Sequence, residues 1–77
     1  MSRVKEREFY ALLCQNIKEE LKRKGMVYRE ASIAVGMSLS HFGNKITGHG
    51  TFSVFEVCKL AKWLEIPVID LVEGLEA

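Results

Sequence analysis

The chain has 77 residues, of which 48% are apolar and 27% are charged. This length accommodates one small domain, and it excludes most multi-substrate enzymes because they need a second lobe or a larger sheet to enclose a pocket. The apolar share excludes intrinsic disorder, and no apolar run approaches the roughly 18 residues of a membrane span. The first residues lack the basic-then-apolar order of a signal peptide, so we expect a cytoplasmic protein.

The net charge of +1 is unevenly distributed along the chain. Residues 1–30 carry a net charge of +3, whereas residues 65–77 carry −4. A basic body with an acidic tail is suited to contact a polyanion on one side only. A solvated surface of uneven charge is the simpler interpretation, and charge alone does not separate the two.

The two cysteines, Cys14 and Cys58, lie far apart inside apolar stripes. Neither has a second cysteine or a histidine at the spacing of zinc ligands, so a zinc site is not expected. We expect two buried free thiols that act as small hydrophobes, and a disulfide remains the alternative.

Apolar residues recur every three or four positions, as in Phe9, Leu13, Ile17 and Leu21, and this period indicates helices rather than strands. The sequence predicts an all-α domain of five helices over residues 3–24, 28–35, 39–46, 54–64 and 67–73. Local signals define the ends: Gly25 closes the first helix, and Ser38 caps the third. Ser53 and Glu56 form a capping box for the fourth. Its predicted buried stripe comprises Val54, Val57, Cys58, Ala61 and Leu64.

The segment from residue 28 to residue 46 is the most informative. Two short helices are joined by a turn at Gly36, and the second is anchored in the core by Phe42. Leu39, Ser40 and Asn44 are left on the outer face, with His41 and Lys45 towards the side. An exposed helix with short hydrogen-bonding side chains has the shape that a DNA major groove admits.

With its neighbours, this segment resembles the Cro/repressor-like helix-turn-helix proteins, also called Xre-type regulators. The resemblance covers residues 17–72 and includes Gly25, the turn 36–38, Phe42, Gly48, and the segments 60–67 and 70–72. It implies a lambda-repressor-like DNA-binding domain. We expect no cofactor or small-molecule ligand, because the five predicted helices leave no ligand or sensor domain. The implied function is sequence-specific binding of double-stranded DNA by a transcriptional regulator, a repressor of phage, plasmid or bacterial origin.

The resemblance also implies which residues contact DNA. Leu39, Ser40, His41 and Asn44 are predicted to read base edges, where an asparagine can pair with adenine through two hydrogen bonds. The predicted phosphate contacts, which fix the register on the duplex, are Tyr28, Ser38, Lys45, Thr47 and His49. The sequence departs from the family at Lys45, which occupies a usually apolar position.

The outer face of the third helix carries neither arginine nor glutamine, the strongest readers of bases. This absence and the surplus apolar residues Ile33, Phe55 and Trp63 favour an alternative. The chain is then an antirepressor-like protein-interaction module that keeps the fold without specific DNA readout. An enzyme has little support, since Ser40 and His41 are adjacent in one helix and point in different directions.

Phe55, Lys59 and Trp63 are four residues apart and fall outside the predicted buried stripe of the fourth helix. Either the domain wraps around them, or they form an exposed strip that pairs two subunits. Val68 and Leu75 in the apolar tail are candidates for the same interface. A homodimer would suit DNA half-sites about 34 Å apart.

Overall fold

The structure is a computed structural model that describes residues 6–72, with the side chains of residues 8–72. This part of the chain contains five α-helices and no strands, which confirms the predicted all-α architecture. The helices are α1 (Glu6–Lys24), α2 (Tyr28–Val35), α3 (Leu39–Ile46), α4 (Val54–Leu64) and α5 (Ile69–Val72). The predicted bounds of α2, α3 and α4 agree with the structure, whereas residues 3–5 and 73 of the predicted outer helices lie outside the described residues.

The last helix begins two residues later than predicted. Pro67 and Val68 form a tight turn before it, in which the amides of Asp70 and Leu71 bond to the carbonyls of Pro67 (3.0 Å) and Val68 (2.9 Å). These bonds span three residues, as in a 3₁₀ turn, so the α-helical hydrogen-bond pattern is not yet established at Pro67.

The turns on either side of α2 follow from glycine. Gly25 has φ 70°, and the amide of Met26 bonds to the carbonyl of Leu21 (2.9 Å), which closes α1. Gly36 has φ 77°, and the amide of Met37 bonds to the carbonyl of Ser32 (3.0 Å). Both are left-handed closures that glycine adopts without steric cost. The chain therefore reverses sharply between α2 and α3.

The fourth helix begins at the predicted capping box. The Ser53 hydroxyl accepts from the Glu56 amide (3.1 Å), and the Glu56 carboxylate accepts from the Ser53 amide (2.9 Å). The predicted buried stripe is only partly correct. Val57, Ala61 and Leu64 are buried together with Leu60, but Cys58 is exposed and Val54 is 80% exposed. These two lie on a flank of α4 that its neighbours in the described chain leave uncovered.

The hydrophobic core joins all five helices. Its largest fully buried side chains are Ile17, Leu21, Phe42, Ile46, Leu60, Leu64 and Leu71. α1 packs against α3, α4 and α5, and α2 packs against α3 and α4. The Asn16 side chain donates to the carbonyl of Leu71 (2.9 Å) and thereby attaches α5 to α1. The core thus holds α3 from one side.

Both thiols are free, but their environments differ. Cys14 is buried as predicted, and its thiol donates to the carbonyl of Lys45 (3.3 Å). Burial raises the pKa of the Cys14 thiol, and the nearby charge of Lys18 only partly offsets this. A thiol of raised pKa is a poor nucleophile, so Cys14 is a packing residue. The prediction of a second buried thiol at Cys58 is wrong.

None of the helices within residues 6–72 has the length and apolar character required to cross a membrane.

Candidate nucleic-acid interface

The anchored side of α3 determines which residues it presents to solvent. Phe42 and Ile46 are buried, and the Phe42 ring packs 5.7 Å from the Tyr28 ring and 5.5 Å from the Phe52 ring. Residues four apart lie on one face of a helix. Ser40 and Asn44, which fall opposite Phe42 and Ile46, are both exposed and form one turn of the outer face.

All four predicted base-edge residues are exposed on this helix. His41 follows Ser40 and its charge acts on Glu56 at the start of α4, and Leu39 at the start of α3 is 42% exposed. The structure therefore brings Ser40, His41, Asn44 and the outer part of Leu39 to one accessible surface. We call the surface formed by these four residues the α3 face.

Two predicted phosphate contacts lie at the amino end of α3. The Ser38 hydroxyl accepts from the His41 amide (3.0 Å) and caps the helix, as predicted. The Ser38 proton stays available for donation. Tyr28 begins α2 and is 36% exposed, with its ring against Phe42. Both side chains remain accessible next to the α3 face.

Thr47 and His49 lie together at the carboxyl end of α3 and are both exposed. The Thr47 hydroxyl donates to the Gly43 carbonyl (2.7 Å) and lies 3.1 Å from Nδ1 of His49. Because the hydroxyl has a single proton, the second bond requires Nδ1–H of His49 as the donor. In the neutral ring Nε2 is then an acceptor, so neither Thr47 nor His49 has a free side-chain proton for an external acceptor.

Lys45 has a different environment from the one predicted. Its ammonium donates to both carboxylate oxygens of Glu56, at 2.9 and 3.1 Å, and the side chains of the pair are only 15% and 21% exposed. A phosphate contact by Lys45 stays a prediction, and it requires the exchange of this ion pair. One feature of the sequence pointed to this partly buried environment: the family that the chain resembles usually has an apolar residue at the position of Lys45.

The ion pair and the capping box share one carboxylate. Burial alone would raise the pKa of Glu56, but the Ser53 amide, the Lys45 ammonium and the more distant charge of His41 outweigh it. The pKa of Glu56 is therefore lowered, so the carboxylate is ionised at neutral pH. Glu56 links α3 to the start of α4, a role that the sequence analysis missed.

The residues predicted for a subunit interface do not form one strip. Phe55 is 70% exposed with the Lys59 ammonium 5.1 Å from its ring centre, whereas Trp63 is half-buried against the core. Val68 is partly exposed, and Leu75 lies outside the described residues. The domain therefore wraps around Trp63 but leaves Phe55 uncovered.

An apolar groove of about 460 Å³, which the sequence analysis did not anticipate, lies between α1, α5 and the start of α4. We call it the apolar groove, and its lining residues are Phe9, Tyr10, Leu13, Phe52, Val54, Val57, Cys58, Val68 and Val72. None of these residues is charged. The exposed flank of α4 with Val54 and Cys58 is one wall of this groove.

Within the described residues, no three His, Cys, Asp or Glu side chains are placed to hold a metal ion. Comparison of the chain with protein-family models, with curated proteins and with solved structures found no match in any of the three. The α3 face and the apolar groove are therefore the features of the molecule that bear on its function.

Proposed function

We propose that this chain is a sequence-specific double-stranded-DNA-binding transcriptional regulator, a repressor with the Cro/repressor-like helix-turn-helix arrangement. In this proposal α3 enters the major groove and needs no cofactor. The observation that supports it most is the exposure of Ser40 and Asn44 one turn apart on a helix whose opposite side is fixed by Phe42 and Ile46. A rigid helix with an outward polar face is what direct base readout requires.

Each residue of the α3 face has a defined chemical role in the proposed complex. The Asn44 side chain forms a bidentate pair with adenine, in which its NH₂ group donates to N7 and its carbonyl oxygen accepts from the N6 amino group. Ser40 forms a single hydrogen bond to a base edge, and the Leu39 side chain contacts a thymine methyl group. His41, on the side of α3 that carries Lys45, contacts a base edge at the border of the same site.

The proposed phosphate contacts lie at the two ends of α3. The helix has eight residues, and at 1.5 Å per residue it is about 12 Å long, similar to the width of the major groove. Tyr28 and Ser38 at its amino end keep hydroxyl protons for a phosphate on one side of the groove, whereas a contact from Thr47 or His49 on the other side requires exchange of their internal hydrogen bonds. Such contacts supply salt-sensitive affinity and fix the register.

Site selection from random duplex DNA, followed by affinity measurements on variants, tests the proposal. We expect Asn44→Ala to weaken binding to the selected site about tenfold or more, since a bidentate contact contributes about 1–3 kcal/mol of discrimination. Binding to random duplex should change little. Gln15→Ala removes a matched exposed amide from α1 and should leave both affinities unchanged. Specific binding that survives the combined Asn44→Ala and Ser40→Ala changes would refute the assignment of the α3 face.

A second candidate function is a protein-interaction module without specific DNA readout. It is favoured by the exposure of large apolar side chains, since Ile33 is 72% and Val54 80% exposed. A gel-shift assay at low salt with random duplex separates the two functions. A DNA-binding regulator should show affinity that falls steeply with salt, whereas an interaction module should show no such binding.

A further inference from the structure

We infer that Glu56 keeps the Lys45 ammonium away from the phosphates of a bound polyanion, so that this cation adds nothing to sequence-independent affinity. Lys45 lies in the last turn of α3 and directly follows Asn44 of the α3 face. A free lysine beside the proposed base-reading residue would be attracted to any nucleic-acid backbone, whatever its sequence. Glu56, in the first turn of α4, binds this ammonium instead.

The Lys45 side chain is held at its charged end and along its stem. Its ammonium donates to both carboxylate oxygens of Glu56, at 2.9 and 3.1 Å, and lies 6.0 Å from the centre of the Phe52 ring. The backbone of Gly50 approaches the stem so closely that a Cβ added there would lie 3.3 Å from Cγ of Lys45. Lys45 therefore has to leave contacts with three other residues before it can reach a phosphate.

Glu56 has a second contact that keeps it from following Lys45 outward. Its carboxylate accepts from the Ser53 amide (2.9 Å), which fixes it at the start of α4. If Lys45 turned to a phosphate, both of its hydrogen bonds to Glu56 would be lost, and an ionised carboxylate would be left without its cation beside a polyanion. Breaking a partly buried ion pair costs more than an exposed ion pair returns. The pair therefore persists in the complex.

The consequence for DNA binding is a higher ratio of specific to non-specific affinity, and this consequence rests on the proposed function. Phosphate contacts carry no sequence information, whereas base contacts do. Neutralising Lys45 removes an attraction that every duplex would share, and it leaves the neighbouring Asn44 side chain exposed for base readout. Glu56 is thus a specificity-determining residue that lies outside the helix that enters the groove.

The salt dependence of binding to random duplex DNA tests the inference. Each phosphate that a lysine neutralises steepens the logarithmic plot of affinity against salt concentration by about 0.9. Affinities are measured from about 50 to about 200 mM salt. Glu56→Gln retains an acceptor for the Ser53 amide but releases Lys45. We expect its slope to be steeper by about 0.9 and its affinity at about 0.1 M salt to be about fivefold or more higher than that of the unaltered chain.

The double variant Lys45→Met with Glu56→Gln shows whether Lys45 contacts phosphate in the unaltered chain. It keeps the net charge, because one positive and one negative charge are removed together. We expect the slope and the affinity of the unaltered chain. A Lys45 that already contacts a phosphate would instead make the slope of the double variant shallower by about 0.9.

Glu30→Gln is the matched control for the loss of one negative charge. Glu30 has the same position in the capping box of α2, where it accepts from the Val27 amide (3.0 Å), and it belongs to neither ion pair of the described residues. Its slope should equal that of the unaltered chain. Circular dichroism confirms that each variant is folded, and the double variant tests the inference even if Glu56→Gln does not fold.

Elution from a heparin column gives a readout that does not require duplex DNA, because heparin is a sulfated polyanion. Glu56→Gln should elute at higher salt than Glu30→Gln, and the double variant should elute with the unaltered chain. Equal binding of Glu56→Gln and Glu30→Gln to duplex and heparin overturns the inference, as does a shallower slope in the double variant. If no variant binds duplex but the heparin order is as expected, the role of Glu56 stands and the proposed function fails.

Discussion

The contact between Lys45 and Glu56 offers a sharp test of how α3 is held. In Glu56→Gln the side chain can still accept from the Ser53 amide and so keep the cap of α4, but the charge that pairs with Lys45 is lost. The Lys45 side chain, which is only 15% exposed, would then lack its counter-charge. An exposed ion pair contributes at most about 1 kcal/mol, whereas breaking a fully buried one costs about 3–5 kcal/mol. This pair lies between those limits.

We therefore expect Glu56→Gln to lower the free energy of unfolding by about 2 kcal/mol, in line with hydrogen bonds to charged groups. For a domain of this size, the melting temperature should fall by roughly 10 °C. Urea denaturation followed by circular dichroism measures the change. A double-mutant cycle with Lys45→Met isolates the pair, and we expect a coupling of at least about 1 kcal/mol. A loss below about 0.5 kcal/mol with no coupling would refute this account.

The same pair predicts a pH dependence. The pKa of Glu56 is lowered in the folded state, so the unfolded chain binds more protons at this group as the pH falls. The contribution is complete above the unfolded pKa, near 4.3, and is lost as the pH falls through the lower folded value. Glu56→Gln should therefore show a smaller loss of stability on acidification than the unaltered chain. If the free energy of unfolding fell with pH in parallel for the two proteins below pH 5, the ion-pair assignment would be contradicted.

Two further predictions concern backbone conformation and capping. Gly36→Ala should destabilise the domain by about 1 kcal/mol, because Gly36 has φ 77°, which a residue with a Cβ adopts only with strain. Gly43→Ala should instead stabilise α3 by up to about 1 kcal/mol, because alanine is the better helix former and its Cβ meets no atom within 4 Å. Thermal melts of both variants compare the two effects, and equal signs would contradict the reasoning. Ser38→Ala should cost about 1 kcal/mol through loss of the cap on the His41 amide, whereas Ser40→Ala two residues later should leave stability nearly unchanged. Similar losses in the two serine variants would show that Ser38 does not stabilise α3 as a cap.

Local chemistry explains why the bounds of the inner helices were predictable. Gly25 and Gly36 close α1 and α2 in left-handed conformations, and Ser38 and Ser53 cap α3 and α4. These signals depend on interactions within a few residues, so they can be identified from the amino-acid sequence alone. The helical period likewise placed Phe42 inside and Asn44 outside.

Tertiary packing decided the residues on the flanks of the helices. Val54, Cys58 and Trp63 all border the buried side of α4, yet only Trp63 is covered by the core. Periodicity defines the centre of a buried stripe, but its width depends on where neighbouring helices lie. The same holds for Lys45, whose partner Glu56 is eleven residues away on another helix.

The amino-acid pattern was thus sufficient to indicate five helices, their caps and the outward side of α3, because each arises from interactions within a turn or two of chain. The apolar groove and the ion pair between Lys45 and Glu56 form only when the helices pack together, because they join side chains from helices separated by loops. Their existence depends on the distances and angles between helices, which no short stretch of residues encodes.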